Sequence, residues 1–394
     1  MFGSDSSHLV VLLASVLKPV NDTRMRGKFV KTLFERPYMQ LHVAGRDPGG
    51  DLNFDPNEGF PRICQHSIFW GSRLSLNRLR AQARYWRLLR VLRPDLVIVH
   101  APELLPLTLL WQWLGKGRKF LYDIRENYAL NITTQRVYQG FVRRGLAIGL
   151  RWVETQAARH AVGLILAETS YADELPFLTE LPANRVIVLE NKYQPVLNEV
   201  LPTHLRPRPP LTEPVQLLFS GTISAVNGVW EAIALAEQLH QAWPGGAHLT
   251  IIGFCQQSEL LRSLQARVAA HPTWLTLIGG AELVPHERIV AEIGRSHIGL
   301  LAYRPHASTE RCRPTKLFEY LAHGLPIIAT PNPLWQLLLV KYGAGLQLDL
   351  VLPINVPVLV EQLKHAVFYP RGVPGDVLWA EEGKKLWHLL DSLI

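Results

Sequence analysis

Short apolar runs alternate along most of the chain with longer stretches in which apolar positions recur every three or four residues. This is the pattern of parallel strands covered by helices. In the first half the runs predict strands over His8–Ser15, Met39–Ala44, Leu96–His100, Lys119–Asp123, Gly163–Ala167 and Val186–Leu189. Between them, Arg78–Leu92 carries Leu79, Trp86 and Leu89 among Arg78, Arg80, Arg84, Arg87 and Arg90. Phe141–Arg159 carries Leu146, Leu150 and Val153, with Arg143, Arg144 and Arg151 on other faces. Both read as surface helices with an apolar stripe inward and a basic face outward.

The alternation lapses between Asn191 and Pro214, where Pro195, Pro202, Pro207, Pro209, Pro210 and Pro214 forbid a central strand or a long helix. It restarts with strands predicted over Val215–Ser220, Ala247–Ile252, Trp274–Ile278, Ile298–Ala302 and Leu325–Ala329. The organisation this implies is an N-terminal domain over 1–190, a linker over 191–214, a second domain over 215–370 and a C-terminal helix over 371–394 packing back on the first domain. The fold class is α/β, two doubly wound Rossmann-like domains facing a cleft. Ligands of such sheets collect beyond the carboxyl ends of the strands.

Composition and charge narrow the functions this fold can carry. No apolar run approaches the eighteen or so residues of a membrane-spanning helix. The start of the chain lacks the basic region and cleavage site of a signal peptide, so a cytoplasmic protein is expected. Cys64, Cys255 and Cys312 are far apart and suggest neither a disulfide framework nor a zinc site. Residues 1–200 hold 26 Lys and Arg against 18 Asp and Glu, whereas residues 201–394 hold 15 of each, so the whole net charge of +8 belongs to the first half. A one-sided basic surface suits an acidic partner, and peripheral contact with an anionic membrane at its inner face is expected. No nucleic-acid-binding motif accompanies the charge, and no nucleic-acid partner is expected.

The chemistry concentrates in Pro314-Thr-Lys-Leu-Phe-Glu-Tyr-Leu-Ala-His-Gly-Leu-Pro-Ile-Ile-Ala-Thr330. Proline at its start and Gly324 then Pro326 at its end delimit a short helix over Pro314–His323. Lys316, Glu319, Tyr320 and His323 share one face of it, with Leu317 and Leu321 turned to the core. A helix N-terminus that carries Thr315 and Lys316, preceded by Glu310, Arg311 and Arg313, is a seat for a diphosphate. Glu319, about 5 Å further along the axis, can accept hydrogen bonds from a ribose diol. Read alone, the string favours a capped amphipathic helix whose Lys316 and Glu319 form a surface pair. A second string favours the ligand site: the strand ending at Phe219 leads into Ser220-Gly221-Thr222-Ile223-Ser224 and then a helix, again an anion site.

These strings resemble the retaining glycosyltransferases of family 4, also called group 1, whose fold is GT-B. The resemblance runs through ASVLKPVNDTRMRGKF in the first strand and its loop, HAPELLP from His100, YDIRENY at Tyr122–Tyr128, the SGTIS turn, PTKLFEYLAHGLPIIAT and the final WAEEGKKLWHLL. It implies a hexosyl-type transferase that moves a sugar from a nucleotide-diphosphate donor to an acceptor with retention of configuration, in polysaccharide or glycolipid biosynthesis. By resemblance Gly221, Thr222 and Ser224 lie against the donor diphosphate, Lys316 neutralises it and Glu319 binds the ribose. The departures are specific. The first glutamate of the family's Glu-x7-Glu pattern falls at Arg311, with Glu310 one place before it. The Arg and Lys that many members carry near the first turn fall at Thr222 and Asn227, and their histidine falls at Arg125.

No Asp-x-Asp occurs, so no metal and no cofactor beyond the donor are expected. Catalytic roles fall to Lys316, Glu319 and Arg125. On the acceptor side the candidates are Asn21, Asp22, Arg24, His100, Glu103, Asp123 and Glu126, each next to the end of a predicted strand. Two alternatives remain open at this level, a sugar-nucleotide epimerase of the same fold and a non-catalytic relative that binds anionic lipid.

Overall fold

A computed structural model describes residues 8–49, 62–72, 75–134, 140–196, 199–209, 211–306 and 309–393. The chain divides into two compact units, Met1–Gln194 with Trp379–Ile394, and Pro195–Leu378.

The first unit is built on seven strands: β1 (Leu9–Pro19), β2 (Met39–Arg46), β3 (Ile63–Phe69), β4 (Leu96–Val99), β5 (Lys119–Ile124), β6 (Gly163–Leu166) and β7 (Val186–Val188). They are parallel throughout, in the order β3-β2-β1-β4-β5-β6-β7. Both faces of such a sheet need cover, which explains why β1 and β4 read as continuous apolar runs rather than alternating ones. One face is covered by the helices Asn77–Leu92, Leu105–Trp113 and Gly140–His160, through Tyr85, Leu89, Leu105, Leu109, Ala157 and Ala158. The other is covered by Met25, Phe29 and Leu33 together with the C-terminal helix Trp379–Asp391, through Trp379, Leu386, Leu389 and Leu390. Trp379 is fixed at both ends: its Nε1 donates to Thr32 Oγ1 at 2.9 Å and its backbone nitrogen to Tyr193 O. Glu382 is fully buried on the same helix and takes Lys192 at 2.7 Å and Lys385 at 2.9 Å.

The second unit repeats the plan with six parallel strands: β8 (Val215–Thr222), β9 (Ala247–Phe254), β10 (Leu275–Gly280), β11 (Ile298–Leu301), β12 (Ile327–Ala329) and β13 (Gly345–Gln347). Their order is β10-β9-β8-β11-β12-β13. The proline-rich stretch lies against this unit. His323 Nε2 meets Glu199 Oε1 at 2.9 Å, and Arg206 donates to the carbonyls of Ser296 and His323 at 2.9 and 3.1 Å. In both sheets the strand order reverses beside the first strand, at β1/β4 and at β8/β11, the position in such sheets where a ligand crevice is expected.

Two helical faces differ from the sequence expectation. Leu79 and Leu146, assigned to inward stripes, are 70% and 44% exposed, because the core-facing positions are Ala81, Tyr85 and Leu89 on the first helix and Ala157, Ala158 and Ala161 at the end of the other. Several arginines assigned to outer faces turn inward instead. Arg151 reaches fully buried Glu154 at 3.3 Å and Asn127 Oδ1 at 2.8 Å, Arg78 pairs with Glu103, and Arg84 donates to Ile68 O and lies over Trp70. The side chain of Arg143 lies outside the described residues. Strands β3 and β13, absent from the sequence reading, are edge strands. The middle of β3 is the polar run Cys64-Gln65-His66-Ser67, and β13 is three residues long.

Candidate functional site

In the second unit the predicted helix forms as Thr315–Ala322, with extended Pro314 ahead of it. It enters beside β8 and β11, and residues Lys316 through Ala322 are all buried. Tyr320 therefore serves the core rather than a ligand: its hydroxyl bonds Ser220 Oγ at 2.9 Å, and its ring fills the space beside Gly299. His323 is likewise engaged, its Nδ1 2.7 Å from the acceptor Glu319 O and its Nε2 2.9 Å from Glu199 Oε1.

Lys316 is the exception on this helix. Its side chain runs past Gly221, where a Cβ would stand 3.5 Å from Lys316 Cε, and its ammonium lies over the rings of Phe219 at 4.6 Å and Tyr303 at 5.1 Å. Nζ is buried and has no hydrogen-bond partner among the described residues. An ammonium withdrawn from water without compensating bonds is driven toward its neutral form. Burial accordingly lowers the Lys316 pKa to about 8, against an opposing pull from Glu319.

Around it the main chain is arranged for close approach. Gly221 has φ +92°, and Gly228, at the start of the helix Val229–Ala242, has φ +78° with no room for a side chain, since a Cβ would lie 1.6 Å from Ala302 O. The turn between them is held by its own side chains: Asn227 Nδ2 donates to Thr222 O at 2.8 Å, and Ser224 Oγ accepts from Asn227 N at 3.1 Å. Thr222 is exposed at the strand end. Glu319 is buried and meets His286 Nε2 at 3.3 Å. His286 opens the helix His286–Arg295 and was not among the sequence candidates, although its place just after β10 satisfies the same strand-end rule that selected the others. Glu310, Arg311 and Thr315 are exposed and Arg313 is half-buried, on a loop anchored where Asn332 and Trp335 donate to the carbonyls of Glu310 and Cys312.

In the first unit the acceptor-side candidates fall into two groups around the β1/β4 reversal. Arg24, Asp123 and His100 are buried together. Arg24 grips Asp123 with two bonds of 2.9 and 2.7 Å and sends its third nitrogen to Leu189 O and Asn191 Oδ1. Its guanidinium also lies over Phe29 and Trp379. His100 Nδ1 stands 2.7 Å from Asp123 Oδ2. Burial would raise the Asp123 carboxyl, but Arg24 and His100 overrule it and hold it well below its usual range. Burial pushes the His100 imidazole down, so its Nδ1 proton points to Asp123 and its Nε2, without a hydrogen-bond partner among the described residues, carries the lone pair.

The second group lies nearer solvent. Arg125 forks onto Asp22 at 2.8 and 3.1 Å, and Asp22 also accepts from the backbone nitrogens of Arg24 and Met25. Burial works against the Asp22 carboxylate, and Arg125 outweighs it and lowers the pKa. Glu103 is taken by Arg78 at 3.1 Å, Glu126 by Lys18 at 3.4 Å, and Asn21 is half-buried. Among the described residues no group of three His, Cys, Asp or Glu side chains converges in a way that could hold a metal.

Residues 41–192 match the Glycosyl transferase 4-like domain family. No curated protein matches the chain. Among solved structures it is similar to the sucrose-phosphate synthase of Thermosynechococcus elongatus, at 13% identity over 98% of this chain and 99% of that one, with a TM-score of 0.65. It is similar to Anabaena HepE in complex with UDP, at 12% identity over 98% and 100%, TM-score 0.61. A UDP-GlcNAc 2-epimerase of Neisseria meningitidis bound to UDP-GlcNAc is similar too, at 12% identity over 98% and 100%, TM-score 0.60. The two parallel sheets of seven and six strands, each reversed beside its first strand, are the α/β architecture of the GT-B fold.

Proposed function

We propose that the protein is a retaining glycosyltransferase that holds a nucleotide-diphosphate sugar in its second unit and an acceptor through its first. The observation that carries this reading is the buried, unbonded ammonium of Lys316 beside Gly221. A cation held without a partner at a glycine turn calls for an anion, and two adjacent phosphates match its charge and the main-chain nitrogens of the turn. Gly221, Thr222 and Ser224 would then line the diphosphate, Arg311 and Arg313 would add charge from the loop, and Glu319 with His286 beside it would receive the ribose diol. The match to a Glycosyl transferase 4-like domain over 41–192 supports transfer as the activity. HepE is solved with UDP and with UDP-glucose, which favours a uridine donor for this chain as well.

In the reaction proposed, the bond from the anomeric carbon to the diphosphate breaks and the acceptor oxygen bonds that carbon on the same face. The acceptor's proton passes to the departing diphosphate oxygen. Lys316 and the turn's N–H groups stabilise the charge that develops there, so the greatest gain comes as the bond breaks. Arg125 acts through Asp22, holding that carboxylate in place at the strand ends. The acceptor is a sugar, free or carried on a lipid or polysaccharide.

Incubating the protein with a panel of nucleotide sugars in EDTA tests this. Release of the nucleoside diphosphate, with the sugar transferred or slowly hydrolysed in its starting configuration, is the expected result. Interconversion of the sugar without nucleotide release would establish the epimerase reading, which the similarity to UDP-GlcNAc 2-epimerases favours. Loss of turnover that only Mg²⁺ or Mn²⁺ restores would contradict the metal-free part of the mechanism. Within the same site, Glu319→Gln is expected to weaken nucleotide-sugar binding roughly tenfold or more, since it removes a charged acceptor, with little change in melting. Unchanged affinity by calorimetry would remove the ribose from Glu319.

A further inference from the structure

Three helices, Asn77–Leu92, Leu105–Trp113 and Gly140–His160, pack side by side over one face of the first sheet. Their inner residues form the core already described, and their outer residues are not the polar set that a solvent-facing surface calls for. Leu79 is 70% exposed, Val91 68%, Trp113 66%, Leu114 64%, Ile148 71% and Trp152 64%. Two of the six are tryptophans, the residue that favours the boundary between water and lipid headgroups. Exposed apolar side chains occur on the second unit as well, among them Leu283, Leu337 and Val340, but no tryptophan or other aromatic residue is among them.

The charges between these side chains have one sign. Arg80, Arg87, Arg90, Lys116 and Arg144 are exposed on the same helices and the turn after the middle one. The only acidic residue in the sequence of the three helices is Glu154, and it is fully buried beneath Arg151 and Tyr122. Among the described residues the outward faces of these helices therefore carry apolar and cationic side chains and no exposed carboxylate of their own, the nearby Glu180 being paired with Arg159 at the end of the third helix, on the half of the chain that holds the entire net charge. A protein partner would have to supply acidic residues around an apolar centre. A bilayer with anionic headgroups supplies both at once, as a plane of negative charge above hydrocarbon. No described helix is long and apolar enough to cross a membrane, which fits a surface that lies on one.

We propose that this three-helix face docks on an anionic lipid bilayer, with Trp113 and Trp152 and the neighbouring leucine, valine and isoleucine side chains entering the headgroup boundary and the arginines bonding lipid phosphates. The proposal concerns where the protein works and stands apart from the chemistry of the second unit. Docking draws on two forces that salt separates: the cationic attraction decays within a Debye length of about 8 Å at physiological ionic strength, whereas apolar insertion does not.

Sedimentation of the full chain with vesicles of phosphatidylcholine alone, or mixed with phosphatidylglycerol, tests it. Wild-type protein is expected to pellet with the anionic vesicles and to be released progressively by salt. A Trp113→Ser, Trp152→Ser variant is expected to lose tenfold or more in partitioning at low salt, and an Arg87→Gln, Arg90→Gln variant to lose most of its preference for phosphatidylglycerol. Because all four side chains are exposed, both variants should keep the wild-type melting temperature, which separates lost docking from lost folding. Equal pelleting with both lipids, pelleting with neither, or variants that bind as wild type would overturn the proposal. So would sedimentation velocity in lipid-free buffer revealing a dimer that the tryptophan variant dissociates, since the face would then belong to a second copy of the chain.

Discussion

Lys316→Met is expected to stabilise the free protein while removing its affinity for nucleotide diphosphates. The two effects have one cause. In the free state the ammonium is buried over two aromatic rings without a hydrogen-bond partner among the described residues, and its pKa falls from 10.5 to about 8. A depressed lysine pKa means that the unfolded chain holds the proton more tightly. The penalty is therefore present in full below pH 8 and is relieved as pH rises from about 8 to 10.5. At neutral pH it is on the order of 2–3 kcal/mol, or a melting temperature several degrees lower than the methionine variant's. Methionine keeps the volume and the packing against Phe219 and Tyr303 without the charge. If a donor binds as proposed, the same ammonium meets its two phosphates, and loss of that charge should weaken binding 100-fold or more. Differential scanning calorimetry with and without a nucleoside diphosphate reads both effects; a variant less stable than wild type, or one that still binds, would return Lys316 to a structural role.

The buried arginine of the first unit should behave in the opposite way. Arg24→Met is expected to lower stability by about 3–5 kcal/mol, because it leaves the buried Asp123 carboxylate with His100 in place of the full charge that compensates it. The same substitution also gives up the bonds to Leu189 O and Asn191 and the stacking on Phe29 and Trp379. A double variant, Arg24→Met with Asp123→Leu, should recover part of the loss, since the carboxylate that lacks its counter-charge is then gone as well. Urea denaturation of the two variants checks this: a single variant within about 1 kcal/mol of wild type would mean that the pair contributes little to the fold and leave Arg24 as a candidate for substrate.

The contrast explains what could be read in the sequence. Strands with long apolar runs, such as Val11–Ala14 and Leu96–Val99, announce themselves because both faces are covered. Edge strand β3 does not, since one side of it needs no burial and Cys64-Gln65-His66-Ser67 can be polar. The helix from Pro314 was legible from its proline and glycine ends, and Lys316 and Glu319 from their spacing. The isolation of Lys316 was not legible, because Phe219 and Tyr303 lie 97 and 13 residues away in sequence and no periodicity connects them. The pairing of Arg24 with Asp123 spans 99 residues, so a strand-end rule could select both without revealing that they satisfy one another. Leu79 and Leu146 depart from expectation for another reason: a bulky apolar residue on a helix ordinarily faces the core, whereas the outward faces of these helices carry exposed apolar side chains as well.

Proton uptake on binding reads whether the second unit seats a nucleotide diphosphate against Lys316. Free Lys316 is half-deprotonated near pH 8, and an adjacent diphosphate raises its pKa, so binding above that pH must take up a proton. Titration calorimetry at about pH 9, with EDTA present, in two buffers of different ionisation enthalpy, measures that proton. At least one of a panel of nucleoside diphosphates and their sugars is expected to bind with uptake approaching one proton per site, lost in Lys316→Met. Binding without uptake, or no binding by any member of the panel, would contradict that seating.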